Sequence, residues 1–463
     1  MKKRNIDFTR GKLLPLIISY FLPLVLAGLV QTMFNAADMA VLGAFDKSSD
    51  SSAVGAVGAT GAIISLLVNS VIGLSGGTNV LLARSVGAKD DERSQKIVGS
   101  SLLLAVIAGA LMLVIGMISA PWFLKVTFCP DNTFGGALIY LRIYIAACPA
   151  IFIYNFGAAI IRVSGDSRSP FIYILISGVM NVALNLVLCI FMKEKVAAVA
   201  IATMVSNVVG AILTVAHLLR IKEGACRVNV REMQFSAREI ANIILLGLPN
   251  AFTNALYSIS NLQIQGAINS FGSSAAAGNN AAAQTETFIA TLVNAVSTTV
   301  MVAVGQNIGA DQKMRVRQSI ITCALLNFGI SVLCGYGALA IGRQLLRIFV
   351  PNDALAVEIG MVRLSCLLTI YFVMAVDNTL SSSIRAFGYT LPPMLNSVVT
   401  VILFRTVWMN LIYPGMNFTG DPVTDIFNVY ECYIISWILS LVVQIILFAV
   451  IYKRYMSGKG KEL

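Results

Sequence analysis

The chain has 463 residues, of which 57% are hydrophobic and only 12% are charged. Soluble globular chains carry roughly 25% charged residues, so this composition excludes a soluble protein and indicates a chain that crosses a membrane several times. The net charge of +11 would suit a nucleic-acid partner, but the placement of the basic residues excludes one.

Twelve stretches are apolar and long enough to predict membrane-spanning helices, which need about 20 residues each. In chain order they cover residues 13–44, 53–80, 96–120, 136–162, 169–192, 196–219, 239–271, 275–305, 316–341, 355–385, 391–413 and 428–452. The first stretch is too long for the apolar core of a signal peptide, so we expect it to remain as the first span. Ser236 and Glu239 form a capping box that predicts a helix start before the seventh span.

The basic residues alternate between the two ends of the predicted spans. Of the 33 lysines and arginines, 24 lie at the N-terminus, in or at the edge of every second loop or in the C-terminal tail, whereas six lie in the alternate loops and three lie well inside spans. Loops rich in these residues stay on the cytoplasmic side, so both termini of this multi-pass protein of the cell membrane are predicted to be cytoplasmic. The basic segment 221–238 is expected to rest on anionic lipid headgroups.

Seven landmarks of the first half recur 222 to 226 residues later, in the same order. They are Pro23, Asn35, Gly55, Gly87-Ala88, Arg162, Gly165 and Pro170, which correspond to Pro249, Asn261, Gly278, Gly309-Ala310, Arg385, Gly388 and Pro393. Each half has six spans and begins inside the cell, so the halves are predicted to be parallel repeats. Duplicated membrane halves of this kind are typical of secondary transporters.

We therefore predict an all-α integral membrane protein of twelve transmembrane helices. Its two six-helix lobes would be related by a pseudo-two-fold axis along the membrane normal. The predicted domains are an N-lobe at 1–220, a cytoplasmic linker at 221–238 and a C-lobe at 239–463. No nucleotide-binding loop, metalloprotease motif or nucleophile motif occurs, so we expect no enzyme. Eight scattered cysteines and one histidine, His217, predict no metal site. We expect a monomer without a cofactor.

Three acidic residues lie well inside predicted spans, away from the span ends, where a charge costs several kcal/mol unless it faces a cavity or a partner. They are Asp38, Glu286 and Asp377. Asp38 is the strongest candidate, because Asn35 lies one turn earlier on the same helix face. Glu286 and Asp377, with Asn261, make a second possible polar site, but pairing with a neighbouring Asn, Gln or Arg is an equally available structural role.

Five motifs follow one another along essentially the whole chain. They are the spacing from Pro23 to Asp38, Gly87-Ala-Lys-Asp90, the segment from Arg162 to Pro170, Asn181 with Asn185, and the segment from Gly305 to Asp311. Each motif is weak alone, but the ordered set resembles the multidrug and toxic compound extrusion (MATE) family. The resemblance implies a two-lobed antiporter that exports amphipathic, often cationic, organic compounds in exchange for H⁺ or Na⁺.

The family pattern also implies an ion-coupling site. In the family, a coupling Asp follows a helix-bending Pro in span one, and these positions match Asp38 and Pro23. An Asn, a second Asp and a Thr of spans five and six complete the polar site, and these positions match Asn181, Asn185 and Thr203. Asn35 lies beside Asp38 in span one. The chain departs from the pattern at Asn185, where relatives have Asp. With one acid at the matched positions, we favour H⁺ over Na⁺, because dehydrated Na⁺ prefers more negative oxygen ligands.

Aromatic and methionine side chains on the candidate spans offer pliable contacts for a small-molecule substrate, although most such residues simply pack. The candidates are Met33, Phe34, Tyr140, Tyr144, Tyr154, Tyr257 and Met301.

A lipid or lipid-linked oligosaccharide flippase of the same superfamily is the alternative function. It would need several basic residues inside its cleft, and only Arg142, Arg363 and Arg405 lie within spans. Arg142 and Arg363 fall near predicted outer ends of spans, which is typical of interfacial side chains.

The charge pattern predicts that residue 236 faces the cytoplasm. In a cysteine-free background, Ser236→Cys should resist a membrane-impermeant maleimide in intact cells and react after permeabilisation. Ser48→Cys, in the first predicted outer loop, is the matched control and should react in intact cells. Strong labelling at position 236 from outside would overturn the topology.

Overall fold

The computed structural model describes residues 6–45, 52–127, 129–221, 224–228, 233–416 and 418–458. These residues are predominantly helical, and no strand occurs among them. Within this part of the chain, ten helices are long and apolar enough to cross a membrane, or up to 12 spans when each of two bent helix pairs counts as one. The predicted all-α membrane fold is confirmed. Helices satisfy every backbone polar group internally, as a membrane interior requires.

The helices of the first half lie close to the predicted spans. They are α1 (Leu13–Phe45), α2 (Ser52–Ala88), α3 (Asp91–Val126), α4 (Asp131–Ala146), α5 (Cys148–Val163), α6 (Arg168–Phe191) and α7 (Lys195–Arg220). The terminal residues 1–5 and 459–463, which contribute to the predicted terminal orientation, lie outside the described residues, as do residues 222–223 and 229–232 of the predicted linker.

The second half repeats this order. It contains α8 (Ala237–Asn269), α9 (Ser273–Gly309), α10 (Lys313–Ala340), a short α11 (Gly342–Phe349), α12 (Ala354–Thr369), α13 (Tyr371–Ala386), a composite helix over Leu391–Gly415, a short α16 (Pro422–Asp425) and α17 (Phe427–Met456). The composite helix runs through α14 (Leu391–Ser397), a π-helical segment (Val398–Leu403), α15 (Phe404–Val407), a second π-helical segment (Trp408–Ile412) and a 3₁₀ turn (Tyr413–Gly415).

Predicted spans four and ten are each two helices rather than one. α4 and α5 meet at 45°, and α12 and α13 meet at 48°. Pro149 stands at the start of α5, where the ring is tolerated because the first turn lacks intrahelical acceptors for its N–H groups. The two bends lie at Ala147 and Ile370, so they occupy equivalent positions of the repeat.

The chain divides into two compact units. Unit 1 contains Met1–Asp7 and Ile18–Ala251, and unit 2 contains Phe8–Ile17 and Phe252–Leu463, of which the described residues are those given above. The boundary falls within α8, whereas the predicted lobes are defined by the sequence repeat; the lobe boundaries remain a prediction.

Side chains cap several helix starts. Ser236 Oγ accepts from the Glu239 backbone N–H at 3.4 Å, which confirms one half of the predicted capping box. The other half is absent, because Glu239 binds Arg93 Nε at 3.1 Å and the Ser236 N–H donates to Ser100 Oγ instead. Asp353 caps α12 by accepting from the Ala356 N–H, and this hydrogen bond holds the pKa of its carboxyl below the usual range.

Glycine permits the close packing of α9 on α12 in unit 2. A Cβ added at Gly278 would collide with the backbone oxygen of Ala356. Its repeat equivalent, Gly55, lies near Thr133 in unit 1, where an added Cβ would meet Thr133 Cγ2 at 3.3 Å. The repeated glycine thus marks the same kind of helix contact in both halves.

We expect Gly278→Val to destabilise unit 2, because the neighbouring group is rigid backbone. Overpacking of this kind costs about 1–3 kcal/mol or more. Gly266→Val is the matched control, since an added Cβ there has open space within 4 Å. Thermal unfolding in detergent should give a lower midpoint for the first variant only. Equal midpoints would contradict the packing role.

Candidate functional site

Asp38 on α1 is held by an amide from α6. Asn185 Nδ2 donates to Asp38 Oδ1 at 2.5 Å and to Asn181 Oδ1 at 3.3 Å. Asn181 Nδ2 donates in turn to Thr203 Oγ1 of α7 at 3.3 Å. Four residues that the family resemblance singles out therefore form one hydrogen-bonded chain across three helices of unit 1. Their distances in the sequence range from four residues to more than one hundred and sixty.

A polar pocket opens beside this chain of hydrogen bonds. Its lining consists of Gln31, Phe34, Asn35, Asp38, Tyr154, Ile174, Ser177, Gly178, Asn181, Thr203, Ser206, Asn207 and Gly210. The cavity volume is about 80 Å³. This is room for an ion or a few water molecules, whereas sites for drug-sized ligands have several hundred Å³.

Helix periodicity explains why these residues share one pocket. The lining residues of α1 lie at 31, 34, 35 and 38, those of α6 at 174, 177, 178 and 181, and those of α7 at 203, 206, 207 and 210. Each set follows the spacing i, i+3, i+4, i+7, which forms one stripe along two turns of a helix. Three such stripes facing one another make the pocket.

Glycine shapes the wall of the pocket at Gly178. A Cβ at this position would overlap the ring of Phe34, so the absent side chain lets the ring lie directly on α6. The same α6 stripe carries Asn181 one turn further along. Phe34 therefore closes the pocket from α1 while the polar groups remain inside it.

The oxygen atoms of the site suit a small cation. Asn185 is completely buried, and its Oδ1 atom has no hydrogen-bond partner among the described residues. A buried acceptor without a partner costs about 1–3 kcal/mol, so a bound proton, water or cation would stabilise it. Carboxylate, amide and hydroxyl oxygens are suitable ligands for hard cations. No cluster of three or more His, Cys, Asp or Glu residues that could hold a metal ion occurs within the described chain.

The other predicted residues of unit 1 take mixed positions. Pro23 lies within α1, which continues through it as one helix, so its bending role remains a prediction. Asn35 lines the pocket and accepts from Gln31 Nε2 at 3.3 Å. Of the proposed substrate contacts, Phe34 and Tyr154 line the pocket. Met33, Tyr140 and Tyr144 do not, and the two tyrosines stack on each other at 6.4 Å.

In unit 2, Glu286 forms an ion pair with an arginine. Arg363 Nη2 donates to Glu286 Oε2 at 2.7 Å, and Arg363 Nη1 donates to Asn279 Oδ1 at 2.6 Å. Arg363 is only 8% exposed. The interfacial position expected for Arg363 is therefore wrong: its carboxylate partner on α9 keeps the charge buried, which a sequence scan of α12 alone does not reveal.

The second predicted polar site is divided between two networks. Asn261 Oδ1 accepts from Tyr433 OH at 3.4 Å, and the Tyr433 ring faces the guanidinium of Arg363 at 5.7 Å. Asp377 instead accepts from Ser440 Oγ at 3.3 Å, and Ser440 also receives bonds from Asn396. Tyr257 and Met301, the two remaining substrate candidates, lie on α8 and α9 of unit 2.

Sequence reasoning missed the small residues of the pocket. Ser177, Gly178, Ser206 and Gly210 have no charge to attract notice, yet they line it. A usable signal was present, because each lies three or four residues from another pocket residue on its own helix, and so on the same face.

The comparisons with known proteins agree on one family. The family model MatE matches residues 23–187 and 249–409, which are the two halves of the repeat. Among curated relatives, the chain is 26% identical over 391 residues to the probable multidrug resistance protein YoeA of Bacillus subtilis (strain 168), covering 82% of this chain and 83% of that protein. It is 24% identical over 396 residues to the probable multidrug resistance protein NorM of Thermotoga maritima, covering 85% and 82%.

A solved structure shares the fold over nearly the whole length. It is described as an outward-facing conformation of a multidrug resistance MATE family transporter of the MOP superfamily, and it matches with a TM-score of 0.87 at 17% identity. The match covers 99% of this chain and 100% of that chain.

We expect Asn185→Asp to create a carboxylate pair that shares one proton. Two carboxylates at hydrogen-bond distance repel each other too strongly for both to ionise at neutral pH. Infrared spectroscopy of the purified variant should show the carbonyl band of a protonated carboxylic acid. The Asp38→Asn, Asn185→Asp double variant is the control and should lack the band of the shared proton. A fully ionised pair at neutral pH would contradict the geometry.

Proposed function

The chain belongs to the multidrug and toxic compound extrusion family, and from that premise we propose that it is a secondary antiporter of the cell membrane that exports small amphipathic or cationic organic compounds by alternating access. The coupling ion is a cation, with H⁺ favoured over Na⁺. Two relatives named multidrug resistance proteins support a varied organic cargo.

One observation carries the proposal: the Asp38 carboxylate lies against the Asn185 amide beside a small polar pocket. A carboxylate at membrane depth is costly and marks an ion or substrate pathway. The pocket admits an ion or a few waters. Asp38 can therefore exchange a proton within a site too small for a large substrate.

The Asn185 amide offers a partner to both protonation states of Asp38. The ionised carboxylate accepts from Nδ2, as in the structure. A protonated Asp38 needs an acceptor for its O–H, and Oδ1 of the same amide is a buried acceptor with no partner among the described residues. Rotation of the amide by half a turn would present Oδ1 to Asp38. Protonation would thus exchange the bond from Nδ2 to Asp38 for one from the Asp38 O–H to Oδ1, and it would also release the bond from Nδ2 to Asn181.

A proton and an organic cation would be exchanged because they compete for the single negative charge of Asp38. An organic cation and a proton both neutralise Asp38, so the binding of one disfavours the other. A drug-sized cation needs more than 80 Å³, so cargo binding requires the pocket to widen. The Phe34 ring on Gly178 is the contact whose release would widen it.

Na⁺ would use the same oxygens differently. Its ligands would be Asp38, the amide oxygens of Asn181 and Asn185, and Thr203 Oγ1. Only one of these carries a full negative charge, which favours H⁺ in our proposal. The flippase alternative has less support, because Arg363 is paired with Glu286 and Arg142 is exposed on α4, which leaves Arg405 as a single basic residue where several would be needed. We further propose a monomer with both termini in the cytoplasm.

We expect Asp38→Asn to abolish proton-driven transport, since it keeps the shape of the side chain and removes its charge. In proteoliposomes, an imposed ΔpH in Na⁺-free buffer should drive ethidium accumulation by the wild type at least tenfold above empty liposomes. The variant should fall to the empty-liposome level. Asp131→Asn, which neutralises an exposed acid at the start of α4, is the matched control and should transport like the wild type.

Two results would contradict the proposal. Wild-type rates in a folded Asp38→Asn protein, judged by an unchanged unfolding midpoint, would remove Asp38 from coupling. Transport by the wild type only under a Na⁺ gradient would replace H⁺ by Na⁺ as the coupling ion.

A further inference from the structure

Arg405 is a buried cation in an irregular part of unit 2. It lies on α15, a four-residue α segment with a π-helical segment on either side. Its residue surface is only 2% exposed. π-helical turns are rare, and they occur frequently at functional sites. Broken spans in transporters likewise gather at binding sites.

The contacts of Arg405 hold its position and leave its charge uncompensated. Nε donates to Ser436 Oγ at 3.1 Å, and the guanidinium lies over the Tyr433 ring at 4.0 Å from the ring centroid. Among the described residues, no carboxylate forms an ion pair with Arg405, and its two terminal nitrogens have no hydrogen-bond partner. These nitrogens form the fork that binds a carboxylate or phosphate with two parallel hydrogen bonds.

The neighbouring charges do not supply the missing anion. Arg363 faces the same Tyr433 ring at 5.7 Å and is paired with Glu286. The cluster of Arg363, Arg405 and Glu286 therefore has two positive charges and one negative charge. A net positive charge at membrane depth is expensive to retain without a function. An oxyanion bound to Arg405 would neutralise the cluster.

The repeat places Arg405 at the counterpart of a pocket residue of unit 1. Pro170 and Pro393, which begin the corresponding helices, are 223 residues apart. Each π turn takes one residue more than an α turn, so the π segment after Pro393 shifts the register by one. The offset becomes 224, and Asn181 then corresponds to Arg405. Asn181 lines the pocket of unit 1.

In the same correspondence between the two halves, the counterpart of Asp38 is not an acidic residue. Asn35 and Asn261 are 226 residues apart, and at this offset Asp38 corresponds to Ile264, a buried apolar residue. The repeat thus replaces the carboxylate of unit 1 by an apolar side chain and introduces a guanidinium instead. Asn261 retains an exposed side chain and accepts from Tyr433, the ring under Arg405. Tyr433 therefore contacts both the Arg405 guanidinium and an exposed residue of α8.

We propose that Arg405, seated on Tyr433, binds the oxyanion of an organic molecule, a carboxylate or a phosphate, within unit 2. Where that molecule is transported cargo, the inference rests on the proposed function and extends its cargo to organic acids and zwitterions. The rings of Tyr433 and Trp437 contact edge to face at 6.0 Å and are themselves buried, so the body of such a molecule would reach the guanidinium as this aromatic packing opens. A lipid phosphate has the same recognition chemistry.

Equilibrium binding tests the site without any gradient. The full chain in nonionic detergent is titrated by calorimetry with three probes that share one ring system: 1-naphthoate, 1-naphthyl phosphate and the neutral 1-naphthylmethanol. At least one anion should bind tenfold or more tightly than the neutral probe. Arg405→Gln should abolish this preference, and Arg405→Lys should keep part of it, because a lysine retains the charge without the fork. Arg347→Gln, an exposed arginine of α11, is the control and should match the wild type.

The outcomes separate the sources of the anion. Repeating the titration in phosphatidylcholine nanodiscs with and without phosphatidylglycerol distinguishes soluble anions from a lipid headgroup. Competition by phosphatidylglycerol that disappears in Arg405→Gln supports an oxyanion site filled by lipid, whereas undiminished binding of the soluble probes supports a soluble organic anion. Equal binding of all three probes to the wild type overturns the proposal, whether or not Arg405→Gln folds.

The two proposals fail separately. If Asp38→Asn leaves transport intact while the anion preference depends on Arg405, the proton-coupling proposal falls and the anion site stands. If Asp38 couples transport and the wild type shows no anion preference, the anion site falls and the coupling proposal stands.

Discussion

A carboxylate within a membrane-spanning helix is stable only when neighbouring dipoles or ions hold its charge. In unit 1 a single amide does this for Asp38, by donating from Nδ2 at 2.5 Å. That amide is itself oriented by Asn181, which is oriented by Thr203. Every link is a neutral dipole, so the charge of Asp38 is solvated without being cancelled. It therefore remains available to a proton or a cation, which an ion pair with lysine or arginine would prevent.

Glu286, a buried acid of unit 2, is held in the opposite way. Glu286 has a full ion pair with Arg363, and Asn279 and Tyr430 complete the surroundings of the pair. A buried pair of this kind is costly to break, because removing one partner leaves an uncompensated charge. Glu286 is thus poorly placed to exchange protons. Arg405, also buried in this unit, has no carboxylate partner among the described residues.

Gene duplication explains how one scaffold carries two such sites. The bends at Ala147 and Ile370 and the packing glycines Gly55 and Gly278 persist in both halves, since they determine how helices contact each other. The polar side chains that project into the helix bundles have diverged. Two π-helical segments occur in the composite helix of the second half, and the first of them precedes Arg405 in the chain.

The sequence by itself determined the membrane class, the twelve apolar stretches, the duplication and the family, because apolar length, charge placement and spacing are local or periodic signals. It also pointed to Asp38, Asn181, Asn185 and Thr203, through ordered motifs. Only the tertiary structure decided which polar groups meet. Arg363 and Glu286 are 77 residues apart, and neither position predicts the other. The splitting of spans four and ten, and the π-helical turns beside Arg405, also depend on packing between helices. Side-chain partnership across helices is a property of the assembled bundle, and no periodicity within one helix encodes it.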